Sequence, residues 1–164
     1  MFQDDSSSRG EEFEPEPLSG LDNAWRRMSN RTNLMEITGV LMFDEPISYE
    51  ALRTVVKERL VPFRRFRQRL TSGDFGRRPC WELDPAFDVD AHLHHVSLPD
   101  PQDRGALCEY IGDMMSQPID KTKPLWHFHL VDGVEDGNAV VVRIHHSIAD
   151  GFALLYVMLG LADD

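Results

Sequence analysis

Residues 145–151 read His-His-Ser-Ile-Ala-Asp-Gly and lie between two apolar runs. The run before them, residues 139–144, is rich in β-branched side chains and follows Gly137-Asn138, so it predicts a strand. The run after them, residues 152–159, is apolar over a helical length and predicts a buried helix. We therefore expect two histidines and an aspartate at a strand-to-helix junction, where side chains are held rigidly and still reach a cleft.

This junction suits proton transfer, because histidine has an unperturbed pKa near neutrality and can take and return a proton in one cycle. Successive side chains leaving a strand point in opposite directions, so His145 and His146 are not expected to share one role. Asp150 can bond a ring nitrogen, bond backbone amides or pair with Arg143. Gly151 permits close backbone approach where the helix begins. The alternative is a pair of structural histidines at a helix start.

A second hypothesis for the same region is metal binding, since zinc accepts imidazole and carboxylate ligands. No HExxH or comparable spacing occurs, so we predict no metal. The residues that this hypothesis would draw on are His92, His94, His95, His127, His129, His145, His146 and Asp150. A third feature is Pro124-Leu125-Trp126, just before the predicted strand partner. Its tryptophan fits either the core or the wall of an apolar acyl channel.

Upstream of the junction the pattern alternates between helices and strands. Ser19 predicts the cap of a short helix holding Leu21, Trp25 and Met28, and Ser48 predicts the cap of a helix that ends near Pro62. Residues 34–43 predict a strand with a bulge at Gly39. Residues 63–70 predict an edge strand or a helix-to-strand link, residues 72–76 a turn, and residues 80–83 a short strand.

Downstream, residues 87–96 predict an irregular segment followed by a strand. Residues 104–116 predict a helix whose apolar face holds Leu107, Ile111, Met114 and Met115. Residues 125–131 and 139–144 predict an antiparallel hairpin closed by a turn over residues 132–138. The fold class expected from this mixture is α/β.

Composition limits the class of protein. The chain has 164 residues and a net charge of −11, which argues against non-specific nucleic-acid binding. Residues 53–78 nevertheless hold nine Lys or Arg against two Asp or Glu, a basic strip that suits either a solvated face or contact with phosphates or a membrane. The two cysteines lack a CxxC spacing, which fits a reducing, cytoplasmic compartment.

The N-terminus of the chain is polar rather than membrane-directed. The sequence contains no run of about 18 apolar residues, so no membrane span is predicted. Residues 1–16 are acidic and serine-rich; they predict a disordered tail, not a signal peptide, with the folded domain over residues 17–164.

Several segments together resemble a known family. Residues 145–151 match the HHxxxDG motif of CoA-dependent acyltransferases and condensation domains. The chain more specifically resembles the N-terminal half of bacterial wax ester synthase/diacylglycerol acyltransferases. The segments that carry this likeness are Leu18-Ser-Gly-Leu-Asp22, Phe66-Arg-Gln-Arg-Leu70, Phe87-Asp-Val-Asp90, His92, Pro124-Leu-Trp126 and the histidine motif.

The resemblance implies a chloramphenicol-acetyltransferase-like two-layer α/β sandwich and transfer of a fatty acyl group from acyl-CoA to a long-chain alcohol or a diacylglycerol. It implies that His146 is the general base, with His145 and Asp150 as its mainly structural frame. Gly151 would let the helix begin close to the substrate channel, and Pro124, Leu125 and Trp126 would shape the acyl pocket. Acyl-CoA would be a substrate, and no cofactor is implied.

The family's enzymes are longer, with the active site between two similar halves. We therefore expect this chain to be the N-terminal half of an enzyme whose C-terminal half is required, located in the cytoplasm with peripheral contact to a membrane or lipid inclusion. The alternatives are another HHxxxDG acyltransferase, a condensation domain acting on carrier-bound acyl groups, or a non-catalytic lipid-binding fragment.

Overall fold

The computed structural model of the chain describes residues 14–30, 32–71 and 78–148. These residues form two sheets. The three-stranded sheet has the order β1 (Glu16–Pro17), β4 (Cys80–Leu83), β3 (Gln68–Leu70). The four-stranded sheet has the order β2 (Glu36–Phe43), β7 (Gly137–His145), β6 (Trp126–Val134), β5 (Leu93–Ser97). β5 runs parallel to β6, and the other neighbours are antiparallel, so the expected α/β class is confirmed.

The helices begin at the predicted serines. The Ser19 hydroxyl accepts a hydrogen bond from the Asp22 amide at 3.0 Å at the start of α1 (Gly20–Met28). The Ser48 hydroxyl accepts one from the Ala51 amide at 3.1 Å at the start of α2 (Tyr49–Val55), which continues as a π-helical turn over Val56–Leu60. Each serine satisfies an amide that the helix itself leaves without a partner. The link predicted after Pro62 is a 3₁₀ turn, Arg64–Arg67, leading into β3.

The central hairpin is longer than predicted, and its turn is shorter. β6 and β7 pair from Trp126 opposite Ile144 to Val134 opposite Gly137, with an irregularity between Asp132 and Val134. Most of the predicted turn is therefore strand, because this bulge lets the ladder continue past Gly133, whose φ is +79°. Gly137 is required by close approach, since a Cβ there would lie 1.8 Å from the Phe43 carbonyl oxygen.

Both faces of the four-stranded sheet are covered over β6 and β7. On one face, α2 and its π-helical turn pack with Phe66 and Trp81 against alternate residues of β6 and β7. On the other face, α3 (Arg104–Met115) packs Leu107 and Met114 against the remaining alternate residues. The sheet thus forms a fixed platform, and the two histidines emerge where β7 ends.

Three details differ from the sequence predictions. Gly39 pairs with Val142 in regular register, so the predicted bulge is wrong: glycine is tolerated in this edge strand without being needed for a bend. Met115 is 53% exposed, because the face of α3 that packs on the sheet holds Leu107 and Met114 and does not include the helix's last residue. Glu16 already pairs with Trp81, so strand structure starts one residue before the predicted boundary at Pro17; residues 1–13 of the predicted tail lie outside the described residues.

Candidate active site

The histidine junction is clamped by backbone hydrogen bonds from two neighbouring segments. The His145 amide donates to the Leu125 carbonyl at 3.0 Å, just before β6. The His146 amide donates to the Met35 carbonyl at 2.8 Å, just before β2. The chain then turns, and the Ile148 amide donates back to the His145 carbonyl at 3.0 Å. These bonds fix the backbone from which both imidazoles project.

His145 is an interior side chain with one ring nitrogen already in use. It is 1% exposed, and its Nδ1 accepts a hydrogen bond from the Ser147 amide at 3.1 Å. Because Nδ1 is the acceptor, the proton of the neutral ring lies on Nε2. Burial, with smaller effects from the positive charge of Lys121 and from His146, lowers the pKa of His145 to about 4. His145 is therefore uncharged at neutral pH and locked in one tautomer.

His146 is the less buried member of the pair. Its side chain is partly exposed, and its ring stacks on Trp25 with centroids 4.8 Å apart and planes inclined by 20°. Within the described residues, neither ring nitrogen of His146 has a hydrogen-bond partner. The stacking fixes the plane of the ring, and the edge that carries both nitrogens makes no hydrogen bond to the residues that the structure describes. The two histidines thus have the different environments that the strand geometry predicted.

Helix α1 is held against this junction by the motif itself. Besides the Trp25–His146 stack, the Ser147 hydroxyl donates to the Asp22 carbonyl at 3.2 Å. Lys121 donates to the Ser29 hydroxyl at 3.2 Å, just past the helix end. No side chain of α1 is fully buried, and Leu21 and Met28 are 56% and 48% exposed. The motif contacts therefore supply much of what seats the helix.

Arg143, two residues before the pair, is buried in an ion pair. Its guanidinium bonds the Glu36 carboxylate and the Gln117 carbonyl, and both charged side chains are under 8% exposed. The other Glu36 oxygen accepts from the Ile119 amide at 2.8 Å. Arg143 thus has a carboxylate partner in β2. Asp150, suggested as its partner from sequence, lies outside the described residues, as do Gly151 and the predicted helix after it.

Pro124, Leu125 and Trp126 lie directly beneath the junction and are all buried. The Trp126 indole donates to the Phe66 carbonyl at 2.7 Å, and its ring stacks on His92 at 4.6 Å. Leu125 contacts the junction through its carbonyl, which accepts from His145. In this arrangement the three residues are core that supports the histidines, and their role in shaping an acyl pocket stays a prediction.

Three of the remaining histidines, His94, His127 and His129, form a separate row on the α3 side of β5 and β6. His94 Nε2 lies 3.0 Å from His127 Nδ1, and the Tyr110 hydroxyl lies 2.9 Å from His129 Nδ1. Burial and the neighbouring imidazoles lower the pKa of His127 to about 3, and burial lowers that of His129 to about 4. Across residues 14–30, 32–71 and 78–148, no group of three or more His, Cys, Asp or Glu has a metal-binding arrangement. The row is thus a neutral, hydrogen-bonded part of the packing.

Three arginines of the basic strip are paired within the fold. Arg53 pairs with Asp90, Arg65 with Glu16, and Arg69 with Glu82. Arg65 also lies over the Trp81 ring at 4.4 Å. Among the helices that the structure describes, none has the length and apolar character needed to cross a membrane.

No sequence pattern pointed to three residues that complete the site. Trp25 was expected only as an apolar helix residue, Glu36 only as part of a strand, and Lys121 only as part of a connector. Each acts through a contact with a residue about 100 positions away in the chain. Only the fold brings these partners together.

Comparison with known proteins agrees with this geometry. Over 117 residues the chain is 36% identical to a protein of Mycobacterium bovis named as a diacylglycerol O-acyltransferase, covering 70% of this chain and 25% of that protein. Over 151 residues it is 32% identical to another of that name from Mycobacterium tuberculosis, covering 89% of this chain and 56% of that protein. The chain therefore spans about a quarter to a half of the relatives that it matches.

Solved structures show the same fold. The wax ester synthase/diacylglycerol acyltransferase of Marinobacter aquaeolei VT8 superposes with a TM-score of 0.71 and 25% identity, over 85% of this chain and 36% of that one. The starter condensation domain of rhizomide synthetase, at 13% identity and a TM-score of 0.74, shares the fold over 92% of this chain and 37% of that one. The expected chloramphenicol-acetyltransferase-like class is confirmed. A sequence model of the wax ester synthase/diacylglycerol acyltransferase catalytic domain matches residues 18–164, and the chain belongs to this family.

Proposed function

We propose that this chain carries the general base of an acyl-CoA-dependent O-acyltransferase that esterifies a long-chain alcohol or a diacylglycerol. The observation that carries the proposal is the position of His146. Its backbone is clamped, its ring plane is set by Trp25, and its ring nitrogens have no hydrogen-bond partner among the described residues. A rigid imidazole with a free nitrogen is what general-base catalysis requires.

In the proposed reaction, a ring nitrogen of His146 takes the proton from the acceptor hydroxyl as that oxygen attacks the thioester carbon. The carbon–sulfur bond then breaks, and the imidazolium returns the proton to the departing CoA thiolate. The ester and CoA-SH leave, and the histidine is neutral again. No acyl-enzyme forms, so one base serves both proton transfers.

The neighbours of His146 have supporting roles in this proposal. His145 cannot act as a base through Nδ1, because that atom already accepts the Ser147 amide. We assign it, with Asp150, to holding the junction in shape. Gly151 lets the following helix start close to the channel, and Pro124, Leu125 and Trp126 support the acyl pocket from below.

We further propose that activity requires a C-terminal half that closes the channel over His146; the two together are called the complete enzyme below. The reaction needs acyl-CoA as a substrate and no bound cofactor. We place the enzyme in the cytoplasm. Its lipid substrates favour peripheral contact with a membrane or lipid inclusion.

The proposed function is tested by incubating the complete enzyme with palmitoyl-CoA and either hexadecanol or a diacylglycerol. We expect acceptor-dependent release of CoA and formation of a wax ester or a triacylglycerol, both followed by chromatography. The ratio of the two products gives the acceptor preference. The 164-residue chain alone should be inactive; a stable, active monomer by ultracentrifugation and assay would refute the need for a C-terminal half.

Trp25 offers a separate prediction about the base. Trp25→Ala removes the surface on which the His146 ring stacks, so the ring samples orientations that do not face the substrate. We expect kcat to fall about tenfold, within the range reported for mispositioned catalytic groups, while KM for palmitoyl-CoA changes little. Trp25→Phe keeps a stacking surface and should restore most of the activity. Equal loss in both variants would show that the aromatic face does not position His146.

A further inference from the structure

A cationic cavity lies beside the histidine junction. It has a volume of about 670 Å³ and is formed by the end of α1, by β3 and β4, and by the connector before β6. Its charged lining residues are Arg26, Arg27, Arg69, Lys121 and Glu82. Four cations thus face one carboxylate, in a chain whose overall charge is −11. The positive potential of this cavity attracts anions, although the protein as a whole is acidic.

The cations differ in how they are compensated. Arg69 pairs with Glu82 at 2.8 Å, so these two charges neutralise each other. Arg26 bonds the Asn23 side-chain oxygen at 3.1 and 3.2 Å, and Lys121 bonds the Ser29 hydroxyl and carbonyl. Both partners are uncharged, so the bonds hold the side chains in place without cancelling their charge. Among the residues that the structure describes, Arg27 has no carboxylate partner either.

The cavity is connected to His146 in two ways. Arg26 directly follows Trp25, the residue stacked on His146, so one helix turn carries both a cavity wall and the support of the base. On the opposite side, Lys121 lines the cavity, and its charge contributes to the lowered pKa of His145. A ligand seated among these cations therefore lies next to the proposed reaction centre and not at a remote surface.

We propose that this cavity binds the phosphate groups of the acyl donor, the 3′-phosphorylated nucleoside diphosphate of acyl-CoA, through Arg26, Arg27 and Lys121. Guanidinium and ammonium groups bind phosphate oxygens through charge-assisted hydrogen bonds. The pantetheine arm separates these phosphates from the thioester, so their site must lie within the reach of that arm from the base and not in contact with it. This inference rests on the proposed function, and it names where that reaction holds its donor.

The test compares two donors in the complete enzyme: palmitoyl-CoA and palmitoyl-pantetheine, which lacks the nucleotide. The double variant Arg26→Gln/Arg27→Gln should raise KM for palmitoyl-CoA about tenfold or more, since each lost charge-assisted bond weakens binding. KM for palmitoyl-pantetheine and kcat with either donor should stay near the wild-type values. Arg104→Gln, at an exposed arginine near the far end of the hairpin, is the matched control and should change neither KM.

Adenosine 3′,5′-bisphosphate supplies an independent readout. It should inhibit the wild type competitively against palmitoyl-CoA, less strongly at high salt, and the double variant several-fold less. Vesicles of phosphatidylcholine with phosphatidylglycerol form the second arm. If the double variant keeps its KM for palmitoyl-CoA and loses vesicle binding, the cavity holds lipid headgroup phosphates and the proposal is overturned.

The outcomes also separate this proposal from the proposed function. An unchanged KM ratio between the two donors in a folded, active double variant refutes the phosphate site and leaves acyl transfer standing. A wild type that transfers from neither donor refutes the proposed function itself. Circular dichroism and the retained kcat with palmitoyl-pantetheine establish that the variant is folded.

Discussion

His146→Ala in the complete enzyme is expected to lower kcat for acyl transfer by about 10²–10⁴-fold, the contribution of a positioned general base. The alanine cannot take the acceptor proton, so the attacking oxygen must lose it to water in a site that the substrates fill. KM for palmitoyl-CoA should change little, because the ring edge contacts the reacting atoms and not the bulk of the donor. CoA release in the presence of acceptor, followed with a thiol reagent, measures both quantities.

A matched histidine variant separates loss of the base from loss of the fold. His95 is 48% exposed and pairs with Asp132 at the opposite end of the sheet, so His95→Ala should retain wild-type activity. The His146→Ala variant should also unfold at a urea concentration close to that of the wild type, since it loses the Trp25 stack while Ser147 and Lys121 still hold α1. Near-full activity in His146→Ala would remove it as the base. Loss of activity with an unchanged unfolding midpoint would exclude a role limited to lipid binding.

Arg143→Met is expected to be the most destabilising single substitution among the charged residues that the structure describes. It removes one partner of a buried ion pair and leaves the Glu36 carboxylate, 6% exposed, without its counter-charge. Breaking a buried pair in this way costs about 3–5 kcal/mol of unfolding free energy. The pair joins β2 to β7, and β7 ends at the histidine motif. Loss of the pair should therefore also loosen the backbone that positions both histidines. Urea unfolding followed by circular dichroism measures the change.

The control for this prediction is an exposed pair in the same molecule. Arg104 and Glu135 are 72% and 54% exposed, so Arg104→Met should change the unfolding free energy by less than about 1 kcal/mol. Glu36→Gln/Arg143→Met should be less destabilised than the sum of its single variants, since the second substitution removes the charge that the first left unpaired. Equal changes in unfolding free energy for Arg143→Met and Arg104→Met would mean that the buried Glu36–Arg143 pair stabilises the fold no more than an exposed pair.

Local features of this fold were predictable because their causes are local. Ser19 and Ser48 were recognised as helix starts since a hydroxyl satisfies an amide only three residues away. The β6–β7 hairpin was recognised from two β-branched runs around a turn. Its length was underestimated, because the pairing continues through a bulge at Gly133 that no local pattern announces.

The sequence predicted which histidines form the site, but it did not predict which distant residues hold them in place. The order His-His-x-x-x-Asp-Gly at a strand end pointed to the pair, and strand alternation separated a buried His145 from a partly exposed His146. Contacts that span the chain were not predictable. Trp25 meets His146 and Glu36 meets Arg143 only because the sheet order places β2 and α1 beside the end of β7. Spacing along one sequence carries no information about such pairs.

The seating of α1 makes the two ends of that helix thermodynamically linked. The helix buries no side chain of its own completely and is held by His146, Ser147 and Lys121. Free energy gained by ordering the motif is therefore also free energy gained by docking the helix, and the coupling is reciprocal. Any ligand that tightens one end of α1 raises the population of molecules in which the other end is correctly placed. At the proposed phosphate site, donor binding would therefore favour the placement of Trp25 against His146.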